Sequence, residues 1–364
     1  MSDTILITGS TGHVGTSLIP HLLQQEDTRV LALIRAKDED HLQKRKETLL
    51  SRLKIDESRF EVIRGDVSSP QLGLSERDHD RVLAEANSLI HSAASIRFDL
   101  PQDKAAEQNI RATQSMLKLA RGLADRGKLK RYDHVSTCYV AGKRTGQVFE
   151  HENDEGQEFR NSYEWSKCEA EKHVREAIDQ GLPAAISRPS IIVGEQATGA
   201  TRSFNVIYWP MKIYAKGWWR TFPGKRTSPI DIVPVDFVAK AIAKIRSQEA
   251  SLGKCFHLAV GDEAPSVEEL EAIAREVTGA PPLRYIDQTL YKKYIRPLMF
   301  PLHITKRGQT IKRGGEAFMP YFEDNPIFDR TNANALLGEL KPPKVLDYIR
   351  QTIKYALEAD FEST

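Results

Sequence analysis

A tyrosine and a lysine stand four residues apart in Asn161-Ser162-Tyr163-Glu164-Trp165-Ser166-Lys167, at the start of a stretch with helical patterning. At that spacing the two side chains share one helical face, one turn apart. An ammonium beside a phenol favours the phenolate, so the pair is expected to bring Tyr163 down from about 10 towards working pH. A phenol tuned in this way can pass a proton to a carbonyl oxygen as a hydride arrives at the carbon. Any helix can carry Tyr-x-x-x-Lys by chance. The assignment therefore needs a dinucleotide site, a second hydroxyl and a substrate pocket from elsewhere in the chain.

The dinucleotide site is read from the first fifteen residues. The apolar run Ile5-Leu6-Ile7 leads into Thr8-Gly9-Ser10-Thr11-Gly12-His13-Val14-Gly15, and a helical pattern with Val14, Leu18 and Leu22 on one face follows. Strand, glycine-rich turn and helix in that order make a pyrophosphate cradle, with Gly9 to Gly15 lining it and the helix N-terminus facing the phosphates. Pro20 falls inside this helix and is expected to bend it. A second strand, Val30 to Ile34, ends at Arg35, where a cofactor lacking the 2′-phosphate would be met by an acid. An arginine there suits a 2′-phosphate and predicts NADPH. Residues 37–59 read as a charged, solvated helix.

Further strands bring the remaining candidates to one edge. Asp66 and Val67 follow the third strand, with Asp66 placed to accept from an adenine amino group or to close a turn. Ser88 to His91 is a fourth strand ending in the small residues Ala93 and Ala94, which would let a cofactor lie against backbone. His91 reads as a packed strand histidine. Residues 103–121 form a helix containing Asn109. The fifth strand, from Arg131, ends in the hydroxyls Ser136 and Thr137, with Cys138 as a small filler beside them. A sixth strand and its exit loop, 184–194, contain Pro189 and Ser190. Ligands of open parallel sheets bind outside the carboxyl ends of strands, so these groups belong in one cleft.

The β-α alternation predicts an α/β fold: a doubly wound parallel (Rossmann) sheet with right-handed crossovers and a smaller C-terminal substrate lobe. The expected division is residues 1–194, with 231–262 returning to the sheet, against a lobe of 195–230 and 263–364. Residues 195–230 are rich in aromatics, glycine and proline and suit either a substrate-facing surface or the packed core of an ordinary subdomain. Residues 281–325 mix aromatics with Arg284, Lys292, Lys293, Arg296, Lys306, Arg307, Lys312 and Arg313, and a solvated basic face is expected. A helix closes the chain over 344–358. With 364 residues there is ample chain for a large core, and a net charge of +2 gives no argument for nucleic acid. The three cysteines, Cys138, Cys168 and Cys255, suggest neither a disulfide framework nor a metal site and fit a reducing, cytoplasmic setting. No apolar run is long enough to span a membrane, so membrane contact is at most peripheral. A homodimer is compatible with the sequence.

In order and separation, Thr8 to Gly15, Asp66-Val67, Ala93-Ala94, Asn109, Ser136-Thr137, Tyr163/Lys167 and Arg188-Pro189 resemble the extended short-chain dehydrogenase/reductases. His91 to Phe98, His134 to Gly142, Asp231 to Asp236 and Phe328 to Asn332 resemble one branch, the fatty acyl-CoA reductases of male sterility type and the carboxyl-thioester reductase domains. The resemblance implies that Thr137 partners Tyr163, that Lys167 binds the nicotinamide ribose, and that Asn109 anchors a water relay to Lys167. It further implies that Ser136 and the Pro189-Ser190 loop border the nicotinamide. The implied activity is NADPH-dependent reduction of an acyl-CoA or carrier-bound acyl thioester to an aldehyde or alcohol. Nucleotide-sugar epimerases, dehydratases and hydroxysteroid-type dehydrogenases share the cofactor residues and form the alternative.

Overall fold

The protein is described by a computed structural model, which places residues 3–204, 206–218, 220–295, 315, 318–323 and 325–362. Its centre is a sheet built from β1 (Asp3–Thr8), β2 (Thr28–Ile34), β3 (Phe60–Arg64), β4 (Ser88–His91), β5 (Arg131–Val135), β7 (Ala184–Pro189) and β11 (Cys255–Leu258). The seven strands lie in the order β11-β7-β5-β4-β1-β2-β3. The short strands β6 (Gly146–Val148) and β9 (Thr221–Phe222) stand outside this sheet. Every neighbouring pair in the central sheet runs parallel, as continuous apolar runs separated by helices require. The strand order reverses between β1 and β4, and a crevice opens at their carboxyl ends.

The pleat sorts the core onto two faces. Ile5, Ile7, Val30, Ala32 and Ile34 face one side, with Leu18, Ile19 and Leu22 of α1 (His13–Leu22) and Val238, Ile242 and Ile245 of α8 (Val235–Arg246). Leu6, Leu31, Leu33, Leu89, Tyr132 and Ile186 face the other, under Val82 of α3 (Glu76–Glu85), Met116 and Ala120 of α5 (Ala112–Ala124), and Val174 of α6 (Ser162–Asp179). Pro20 falls in the last turn of α1, which ends two residues later.

Two expectations are corrected. The sixth strand ends at Pro189, and its expected exit loop carries a strand of its own: β8 (Ile191–Val193) leaves the main sheet to pair with β10 (Ile232–Pro234). The helix holding Asn109 is interrupted: α4 (Gln102–Ala105) and α5 are joined by a π-helical turn, Ala106–Arg111. In 195–230, Tyr208 and Tyr214 of α7 (Tyr208–Ala215) follow the core-packing alternative; the Tyr208 hydroxyl accepts from the Gly194 amide at 2.9 Å. Of the expected basic face, Arg296, Lys306, Arg307, Lys312 and Arg313, with the side chain of Lys292, lie outside the described residues.

Candidate active site

A cleft of about 720 Å³ lies along the carboxyl ends of the central strands. It is lined by Gly9, Thr11, Gly12, His13, Val14, Arg35, Asp66, Val67, Ala93, Ala94, Ser136, Thr137, Tyr163, Lys167, Pro189 and Ser190. Residues scattered from Gly9 to Ser190 are thus brought to one place because each terminates or follows a parallel strand, or leads the helix packed beside one.

The glycine loop is built for close approach. Gly9 has φ +75°, and a Cβ there would come within 2.7 Å of the Ala93 amide nitrogen. A Cβ on Gly15 would meet the Gly9 carbonyl oxygen at 2.2 Å, so Gly15 serves packing of α1 against the loop and is not part of the lining. Ser10 is buried behind the loop. The helix α1 starts after Gly12 with no side-chain cap and no acidic residue in its first turn. Its leading N–H groups are therefore left for an anion, and the site fits a dinucleotide pyrophosphate.

Arg35, at the end of β2, is well exposed, with its guanidinium 4.0 Å from Asp66. The sequence reading missed its neighbour Arg45, on α2 (Glu39–Leu53). Arg45 donates to the Arg35 carbonyl at 2.6 Å and to the Thr11 hydroxyl at 3.0 Å, and it lines the same cleft. Nothing in the charge run 37–59 distinguished it; only the docking of α2 beside the glycine loop does. Asp66 lines the cleft and closes a turn as well. One carboxylate oxygen accepts from the Ser68 amide at 3.0 Å and hydroxyl at 2.7 Å.

Helix α6 is capped by Asn161, which accepts from the Glu164 amide at 3.0 Å, and this fixes the first turn that carries Tyr163. The Lys167 ammonium donates to the Val135 carbonyl at 2.9 Å. Burial brings its pKa down to about 8, against an opposing pull from the Glu171 carboxylate. Tyr163 departs from expectation. Burial pushes its hydroxyl up to about 12, partly offset by a hydrogen bond with Thr137. In this state desolvation outweighs any help from the lysine, whose ammonium is bound to Val135. The phenol is therefore held as an acid. The Thr137 hydroxyl donates to the Pro189 carbonyl at 3.3 Å and accepts from the Tyr139 amide at 3.2 Å. The hydroxyl is thereby anchored between the ends of β5 and β7.

Asn109 lies behind the cleft wall rather than in it. Its side chain accepts from the Ser95 amide at 2.8 Å and donates to the Ser95 carbonyl at 3.2 Å and the Ser166 hydroxyl at 2.8 Å. It ties the cleft-lining loop after β4 to the turn preceding Lys167. His91 is packed as expected, with Nδ1 2.8 Å from the Thr8 hydroxyl, and burial lowers its pKa to about 3. Cys138 is fully buried, its thiol donating to the Arg188 carbonyl at 2.9 Å, and burial raises its pKa.

Behind α6, Glu171 and Arg188 form a fully buried ion pair at 2.6 Å. Arg175 reaches the same carboxylate at 2.8 Å, and His257 Nε2 lies 3.1 Å from Arg188. The arginine offsets the burial cost and holds Glu171 down at about 2. The cluster braces α6 against β7 and β11. Among the described residues no group of side chains could hold a metal ion, and no helix is long and apolar enough to cross a membrane.

A glycine-rich dinucleotide cradle on a parallel sheet, with threonine, tyrosine and lysine at its far end, defines an extended short-chain dehydrogenase/reductase. A family model described as "Male sterility protein" matches residues 7–242, and the chain belongs to that family. A linear gramicidin synthase of Brevibacillus parabrevis is 29% identical over 270 residues, 70% of this chain and 5% of that protein. The fatty acyl-CoA reductase Wat of Drosophila melanogaster is 27% identical over 278 residues, 65% of this chain and 53% of that one. The chain thus spans less than two thirds of either relative. The crystal structure of the terminal R domain from the myxalamid PKS-NRPS biosynthetic pathway superposes with a TM-score of 0.83 at 26% identity, covering 99% of this chain and 92% of that one.

Proposed function

We propose that the protein is an NADPH-dependent reductase of acyl thioesters, releasing an aldehyde and free thiol, with a second round giving an alcohol. The observation that carries this reading is the convergence of Thr137, Tyr163 and Lys167 in one cleft with the glycine loop, Arg35 and Arg45. The names of the relatives, a fatty acyl-CoA reductase and a peptide synthase, favour an acyl thioester on coenzyme A or on a carrier protein.

The overall change is acyl thioester, NADPH and a proton to aldehyde, thiol and NADP⁺. When bound, the reduced nicotinamide supplies a hydride to the thioester carbonyl carbon. Tyr163, kept protonated by burial, donates from its hydroxyl to the carbonyl oxygen as negative charge develops there, and the Thr137 hydroxyl, turning its proton from the Pro189 carbonyl, adds a second hydrogen bond. The C–S bond then breaks as the carbonyl re-forms: the oxygen's proton returns to Tyr163, and the leaving thiolate takes a proton from solution. Lys167 holds positive charge beside the phenol and the cofactor ribose. Arg35 and Arg45 hold the 2′-phosphate, and the N–H groups at the start of α1 hold the pyrophosphate.

The test is NADPH oxidation with product analysis on octanoyl-CoA, with a UDP-sugar as control, for the wild type and Tyr163→Phe. The reading expects aldehyde or alcohol from the thioester. It also expects a loss of about 10²–10⁴-fold in turnover in the variant with NADPH affinity retained. Full activity of Tyr163→Phe, or turnover of the UDP-sugar alone, would overturn it.

A further inference from the structure

The catalytic tyrosine stands at the head of a row of rings that the proposed chemistry does not use. The Phe98 ring lies 5.7 Å from that of Tyr163, with planes 33° apart. Tyr321 stacks on Phe98 at 5.5 Å and 19°. Tyr139 meets Tyr321 edge-on at 5.2 Å. All four line the cleft. Behind them Phe318 packs on Phe98 at 5.5 Å, and Trp209 stacks on Phe318 at 5.6 Å and 28°. The row thus runs from the reacting hydroxyl towards the C-terminal half of the chain.

Tyr321 is locked to the catalytic turn itself. Its hydroxyl accepts from Asn161 Nδ2 at 2.9 Å and is bonded to the Glu164 carboxylate, the residues two before and one after Tyr163. Arg160 lies over its ring at 5.2 Å, pairs with Glu164 at 3.4 Å and donates to the Pro320 carbonyl at 3.2 Å. Arg160 and Glu164 side chains are almost wholly enclosed, at 3% and 0% exposure, so these partners cannot readily exchange for water. A ring held by its hydroxyl, its face and its neighbouring backbone keeps one plane, and that plane is registered to Tyr163 through a single helical turn.

Fixed π-faces reward a flat partner. An aryl group gains offset-stacked or edge-to-face contact of about 0.5–1.5 kcal/mol per ring pair beyond area burial, and it brings few rotors to freeze. A saturated chain gains only area and loses its rotamer freedom against a wall that does not adapt. Tyr321 itself is 4% exposed, with Phe98 stacked on its ring and Arg160 over it, so the half-buried Phe98 ring presents the surface and Tyr321 fixes its plane. Resting on the thioester-reductase reading, we infer that Phe98, held by Tyr321, forms the acyl-binding wall and selects a thioester whose acyl group carries an aromatic ring close to its carbonyl.

The experiment compares benzoyl, phenylacetyl and octanoyl thioesters of N-acetylcysteamine, which present the thiol end shared by coenzyme A and carrier proteins. NADPH oxidation is followed for the wild type, Phe98→Leu, Tyr321→Leu and Tyr321→Phe, with NADPH binding as a check on folding. The wild type should favour the better aryl thioester over octanoyl by tenfold or more in kcat/KM. Both leucine variants should bring that ratio towards one with NADPH affinity unchanged, and Tyr321→Phe, which keeps the ring, should retain most of it. An octanoyl preference in the wild type, or an undiminished aryl ratio in both leucine variants, overturns the wall assignment while leaving thioester reduction standing. Absence of turnover with all three thioesters overturns the underlying reading and this inference with it.

Discussion

The Lys167 ammonium is bonded to the Val135 carbonyl, 2.9 Å away, at the carboxyl end of β5. Two residues further along that chain is Thr137, so one strand end both anchors the lysine and supplies the hydroxyl bonded to Tyr163. Strand β5 and helix α6 therefore position Thr137, Tyr163 and Lys167 jointly.

Burial brings Lys167 down to about 8, so its charge is lost as pH rises through that value. The limb of kcat/KM against pH for the free enzyme is expected to fall above about pH 8, with Tyr163, raised to about 12, remaining protonated throughout. The sign for stability is opposite. A depressed lysine pKa means the buried ammonium costs stability below about 8, and that cost disappears as pH rises past the unfolded value near 10.4. A pH–rate profile checks the first statement, and Lys167→Arg, which stays charged, should remove the alkaline limb from whatever activity remains.

Arg45 braces Arg35 and Thr11 at the lip of the cleft. Removing a charged hydrogen-bonding group from a phosphate site costs about 1.5–3 kcal/mol, or roughly 10- to 100-fold in affinity. Arg45→Ala is expected to weaken NADPH by that factor and leave NADH nearly unchanged, while Arg35→Asp should turn the preference towards NADH. Fluorescence titration with both cofactors measures the ratio; an unchanged ratio in both variants removes these arginines from the 2′-phosphate site.

Gly9 combines φ +75° with a Cβ position 2.7 Å from the Ala93 nitrogen. Gly9→Ala should therefore shift the loop after β1 against the loop after β4 and abolish measurable cofactor binding, while the two core faces stay packed. Titration with NADPH alongside circular dichroism distinguishes a lost cradle from a lost fold.

Glu171 and Arg188 are both fully buried. Breaking such a pair from one side costs about 3–5 kcal/mol, because the other charge is left uncompensated. Glu171→Gln should lower the urea midpoint accordingly. Because Glu171 is held down at about 2, the stability it contributes is present above its unfolded pKa of about 4.3 and is lost as pH falls towards 2. Acid titration of wild type and variant should converge over that window.

By itself the sequence determined the parallel sheet, the glycine cradle, Arg35 and the Thr137–Tyr163–Lys167 grouping. Each of these is a local pattern: an apolar run, a turn that only glycine permits, a helix with two side chains on one face. The tertiary structure alone decided what depends on distant neighbours. Arg45 belongs to the cleft because α2 docks beside the glycine loop, a placement its charged, solvated pattern does not encode. Asn109, within a π-helical turn, holds Ser95 and Ser166 behind the cleft wall, a pairing across distant segments that no local pattern encodes. Tyr163 is raised rather than lowered, because desolvation depends on everything packed around the phenol and the spacing to Lys167 reports only one neighbour. Tyr321, 158 positions from Tyr163, carries no local signature; its place beside the turn that carries Tyr163 depends on Arg160, Asn161 and Glu164 and on the rings of Phe98 and Tyr139.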